Sequence, residues 1–73
     1  MYFVWYDDNP KKTVTAKIDE AVLRYKQKFG KQPNVCKVNE KLLGEETNTG
    51  VAGVKVESAK NVPQNYFWIG NEV

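Results

Sequence analysis

Apolar and polar positions recur along this chain with two different periods, and each change of period marks a new element. Residues 2–6, YFVWY, form an unbroken run of β-branched and aromatic side chains that stops at Asp7-Asp8-Asn9-Pro10. Such a run, bounded by turn-forming residues, predicts a strand. Over residues 14–29 the apolar positions are Val14, Ile18, Ala21, Val22, Tyr25 and Phe29, with spacings of 4, 3, 1, 3 and 4. These spacings make one stripe of an amphipathic helix. Thr13 stands where an N-cap is needed, Gly30 where a left-handed residue closes a helix, and Pro33 prevents the helix from resuming. Glu20 and Arg24 are spaced as an i,i+4 pair. Leu23 falls off the stripe and is expected at the surface.

Beyond Pro33 the period shortens to two. Residues 34–38, NVCKV, predict a short strand, and Asn39 can cap one helical turn over 40–43. Residues 44–53, GEETNTGVAG, hold three glycines and few apolar groups and read as a mobile loop. Residues 54–58, VKVES, alternate as a strand, 59–65 form a turn around Asn61, Pro63 and Asn65, and 66–69, YFWI, are the last strand. The order is β-α-β-β-β. Strands joined through a helix run parallel by a right-handed crossover, and one helix covers only one face of the sheet. The predicted fold is an α+β two-layer sandwich in a single domain, residues 1–73, with one long helix packed on a four-stranded mixed sheet.

Alternation also divides each strand between two faces. Cys36, Val38, Val54 and Val56 belong against the helix, which leaves Val35, Lys37, Lys55 and Glu57 outside. Placing Phe3, Trp5, Phe67 and Ile69 inward leaves Tyr2, Val4, Tyr6, Tyr66 and Trp68 outside. The reverse assignment of the first and last strands is open, and it too leaves aromatics on the uncovered face. The candidate binding residues are therefore Tyr2, Tyr6, Tyr66 and Trp68 with Lys37 and Lys55 beside them. A sheet face this apolar calls for a cover. It could be a second copy or a folded-over loop, another protein, or single-stranded nucleic acid stacking on the rings with lysines at the phosphates. Lys17, Arg24 and Lys28 add a basic helix flank to the nucleic-acid alternative, although the signature of RNA-recognition motifs is absent.

Composition narrows the chemistry. The chain has 73 residues, eleven basic and nine acidic side chains, one cysteine and no histidine. No disulfide can form within it, and zinc sites of the Cys/His kind and His-activated nucleophiles are excluded. No GxxxxGK[ST] or GxGxxG phosphate loop occurs, and Gly50-Val51-Ala52-Gly53 matches neither. Cys36 falls on an inward strand position, as a structural thiol does. One polar edge remains: Asp7, Asp8, Lys11, Lys12, Asn39 and Glu40, at the carboxyl ends of two parallel strands. It could hold a hard cation, or it could be only a turn and a helix cap. A net charge of +2 does not by itself point to nucleic acid. No apolar run approaches the ~20 residues that span a bilayer, and MYFVWYDD lacks the pattern of a signal peptide. The expectation is a non-enzymatic, cytoplasmic interaction domain with no cofactor and no membrane partner, self-associating through the aromatic face or binding another protein. Single-stranded nucleic acid is the alternative.

Overall fold

The computed structural model describes residues 2–43, 50–51 and 53–72. In chain order the elements are β1 (Phe3–Tyr6), α1 (Val14–Phe29), β2 (Val35–Asn39), α2 (Glu40–Leu43), β3 (Gly50–Val51), β4 (Val54–Ala59) and β5 (Tyr66–Gly70). The four expected strands form one mixed sheet with α1 packed on it. The two-residue strand β3 adds to its edge a part of the glycine-rich segment that reads as a loop; residues 44–49 and 52 of that segment lie outside the described residues.

The local chemistry of α1 is that of its sequence. The Thr13 hydroxyl accepts from the Ala16 N–H at 3.1 Å, and Gly30 closes the helix at φ 71° with its N–H on the Lys26 carbonyl at 2.8 Å. A left-handed residue here ends the helix and satisfies an orphan carbonyl. Arg24 lies 3.9 Å from Glu20, and Leu23 is exposed as expected. At the end of the stripe Phe29 remains 45 % exposed, touching Tyr25 and Phe3 from above with ring centroids 4.6 and 6.1 Å away.

Sheet order is β1-β5-β2-β4-β3. β5 lies antiparallel to both β1 and β2, so β1 and β2 are parallel with the last strand inserted between them. β2 and β4 pair parallel, and β3 runs antiparallel to β4. The core is the seam between α1 and the inner sheet face. Ile18, Ala21, Val22 and Tyr25 meet Cys36, Val38, Val54, Val56, Phe67 and Ile69, with Phe3 and Trp5 packed at the margin. Full burial of each large aliphatic or aromatic side chain contributes about 1.5–3 kcal/mol. The inner-face assignment of the strands is therefore the one that buries Phe67 and Ile69 completely. Among the described residues no helix is long and apolar enough to cross a membrane.

Two side chains depart from the sequence expectations. Lys17 is not part of an exposed basic flank; it is 7 % exposed, covered beside Ile18 and close enough to Asp7 to stabilise its carboxylate. Val35 is on the outer face but buried, in a depression lined by Asn34, Lys55, Glu57 and Glu72.

Candidate interaction face

Strand register assembles the outer face in rows. Val4, Trp68, Lys37 and Glu57 stand side by side across β1, β5, β2 and β4. Tyr6 and Tyr66 form the next row toward the carboxyl end of β1, and Gly70, Val35 and Lys55 the row on the other side. All six candidate residues lie on this face, in two aromatic groups with Lys55 beyond them. Tyr2 tilts onto Trp68 with ring centroids 6.0 Å apart, and Tyr6 meets Tyr66 at 4.9 Å. Offset and tilted ring pairs at such separations add about 0.5–1.5 kcal/mol beyond the area they bury. Val4 and Tyr6 are 52 % and 51 % exposed, whereas Tyr2, Tyr66 and Trp68 are half-buried by their neighbours.

A residue that the sequence reading passes over, Glu72, organises the polar side of this face. Its carboxylate accepts from the Tyr2 hydroxyl at 2.7 Å and lies 3.2 Å from the Lys37 ammonium, which stands 5.3 Å from the centre of the Tyr2 ring. Its backbone is clipped to Asn34: the Asn34 amide donates to the Glu72 carbonyl, and the Glu72 N–H donates to the Asn34 side-chain oxygen, both at 2.8 Å. The Tyr2 hydroxyl and then Lys37 hold the Glu72 carboxyl below its ordinary range, and Tyr2 and Glu72 in turn raise Lys37. Parity carries the signal that could have found it. Positions 66, 68, 70 and 72 share one side of an extended chain, and the alternation continues past Gly70.

Lys37 and Lys55 are matched on this face by Glu57 and Glu72. The basic residues Arg24 and Lys28 lie on the other side of the sheet, over the rings of Trp5 at 5.8 Å and Phe3 at 5.4 Å. There the cations cover the aromatic margin of the core.

The polar edge is divided among internal partners. Asp7 accepts from the Asn9 N–H at 3.0 Å and from Lys12 at 2.9 Å; the first of these, then the second, lowers its pKa. Lys12 also pairs with Glu20. Asp8 accepts from the Tyr6 hydroxyl at 3.2 Å. Asn39 caps the Lys41 N–H at 2.9 Å and donates to the Val62 carbonyl at 2.8 Å. Among the described residues no group of three or more His, Cys, Asp or Glu side chains is placed to hold a metal ion. Cys36 is fully buried in the core, and desolvation pushes its thiol up to about 12, so it carries no thiolate at neutral pH.

No family model matches the chain, and no curated protein or solved structure matches it either.

Proposed function

We propose that the chain is a non-catalytic protein-interaction domain that self-associates through the aromatic outer face of its sheet. The observation that carries this reading is the outer face of Tyr2, Trp68, Val4, Tyr6 and Tyr66, two ring pairs with Val4 beside Trp68, left uncovered by the one helix, with its two most exposed members at the β1 margin. Burying such a band against a second apolar surface is favourable in proportion to the area removed from water. The balance of Lys37 and Lys55 against Glu57 and Glu72 favours a protein partner over a polyanion, whose phosphates need uncompensated cations.

Light scattering of the eluting protein across concentrations tests the reading. The expected result is a concentration-dependent dimer that persists in about 0.5 M NaCl, because apolar burial is not screened as exposed charge is. Tyr66→Ala with Trp68→Ala is expected to yield a folded monomer. Tyr6→Ser, on a half-exposed ring, weakens the dimer without disturbing the core. A wild-type monomer at every concentration overturns the reading, and a monomer that binds short single-stranded oligonucleotides replaces it with the alternative.

A further inference from the structure

Where the start of β1 meets the last turn of α1, the chain leaves a cleft of about 190 Å³ lined by Tyr2, Phe3, Tyr25, Phe29 and Lys31. Its walls are rings. Phe3 stands edge-on to Tyr25 and to Phe29, at 73° and 83°, and Tyr25 tilts against Phe29 with centroids 4.6 Å apart. Phe29, 45 % exposed, is the open wall. The space suits one six-membered ring: an apolar cavity of about 150 Å³ takes a benzene molecule. Drug-sized molecules occupy clefts of about 300–1,000 Å³ and are too large for it.

The polar groups that border the cleft are donors. Lys31 is part of the lining, and Lys28 stands over the rings of Phe29 and Phe3, 5.6 and 5.4 Å from their centres. Among the described residues neither ammonium is paired with a carboxylate; the ion pairs use Lys12, Arg24 and Lys37 instead. Tyr25 is 6 % exposed. Its hydroxyl accepts from the Asn71 side-chain amide at 3.0 Å and keeps its own proton, for which the described residues supply no acceptor. One carboxylate touches a lining residue. It belongs to Glu72, which accepts from the Tyr2 hydroxyl and is matched by Lys37. A ring-lined cleft with two unmatched cations and a buried free O–H calls for a guest with one flat apolar ring and a negative acceptor group.

We propose that this cleft binds a single-ring aromatic carboxylate, its ring seated among Tyr2, Phe3, Tyr25 and Phe29 and its carboxylate at the mouth, accepting from Lys28 and Lys31. An aromatic guest meets these walls face to edge, which a saturated ring cannot do. Charge-assisted hydrogen bonds from the two lysines select the anion. The site is independent of self-association; Tyr2 alone belongs both to the cleft and to the outer face.

Titration of the full chain with benzoate, followed residue by residue by NMR, tests this. Saturable shifts are expected on Tyr2, Phe3, Phe29 and Lys31, with a dissociation constant of about 1 mM or below. Benzylamine keeps the ring and reverses the charge, and cyclohexanecarboxylate keeps the charge without the aromatic ring; each is expected to bind at least ~10-fold more weakly. Lys28→Gln with Lys31→Gln, both on exposed residues, should raise the benzoate constant at least ~10-fold, and Phe29→Ala should do the same. Shifts absent at about 20 mM benzoate, or scattered outside the cleft, overturn the site. Equal binding of benzylamine, or an unchanged constant in the lysine variant, overturns an anionic guest, and equal binding of cyclohexanecarboxylate overturns an aromatic one. If Phe29→Ala fails to fold, the three compounds on the wild-type protein decide. Light scattering of the same samples keeps the two readings apart: a monomer that binds benzoate overturns self-association and leaves this site standing.

Discussion

The hydroxyl of Tyr2 donates to the carboxylate of Glu72 at 2.7 Å, tying together residues 70 positions apart in the chain. The bond draws the start of the chain and the residues after β5 onto the same face of the sheet. Lys37, 3.2 Å from the same carboxylate, completes a network that borders the aromatic band.

This network makes stability sensitive to acid. Glu72 is held below its ordinary value of 4.5, chiefly by the Tyr2 hydroxyl and then by Lys37. The unfolded chain therefore binds the proton more readily than the folded one. The contribution is present above the ordinary glutamate range and is lost as the pH falls through the lowered value. Asp7, depressed by the Asn9 N–H and Lys12, acts in the same direction. Urea denaturation at a series of pH values should show stability falling below about pH 4.5. In Glu72→Gln part of that slope should disappear, and a slope identical to wild type would show that Glu72 titrates alike in both states.

Cys36 should be inert in the native protein. It is fully buried, with its thiol pushed up to about 12 by desolvation. Because the thiolate is the reactive form, alkylation at pH 8 is expected to proceed only through unfolded molecules. Modification monitored by mass spectrometry should accelerate with urea in parallel with the unfolded fraction. Rapid modification without denaturant would mean that the β2–α1 seam opens locally.

Asn39 joins two elements through one side chain, capping α2 and donating to the Val62 carbonyl in the turn before β5. Val62 itself is fully buried. Asn39→Ala removes both bonds and should cost about 1–3 kcal/mol in chemical denaturation. Asn39→Asp keeps the cap and loses the donor, so its loss should be smaller. Equal losses in the two variants would place the whole effect on the Val62 bond.

Trp5 carries a buried indole N–H that has no acceptor among the described residues. Such a donor costs about 1–3 kcal/mol of lost solvation. Trp5→Phe removes it along with some apolar area, and the two effects should offset to within about 1 kcal/mol. Trp5→Ala forfeits the packing against Phe3 as well and should destabilise by about 3 kcal/mol. A Trp5→Phe loss as large as that of the alanine variant would mean that the ring's size outweighs its orphaned donor.

The elements themselves were readable from local pattern. The spacing from Val14 to Phe29, with Thr13 before it and Gly30 after it, returned the bounds of α1, and period-two alternation placed Cys36 and Val56 inward, whereas the facing of Phe67 and Ile69 was left open and the fold turned both inward. These features depend on the stereochemistry of neighbouring residues, which a linear pattern records directly. The same alternation put Lys37 and Lys55 outward, and grouped Tyr2 with Tyr6 and Tyr66 with Trp68 without deciding which face those pairs take. It could not say which of them touch. Lys17 went wrong for a related reason: helix periodicity gives its angle from the apolar centre, but whether its stem is covered depends on what packs beside that angle.

Lateral order was out of reach of any local signal. The insertion of β5 between β1 and β2 brings Trp68 beside both Val4 and Lys37 and carries Glu72 to Tyr2 and Asn34. Each strand carries its own two faces in its residues. Which strand lies beside which is set by contacts between residues tens of positions apart, whose energies are settled only when the whole sheet closes over α1.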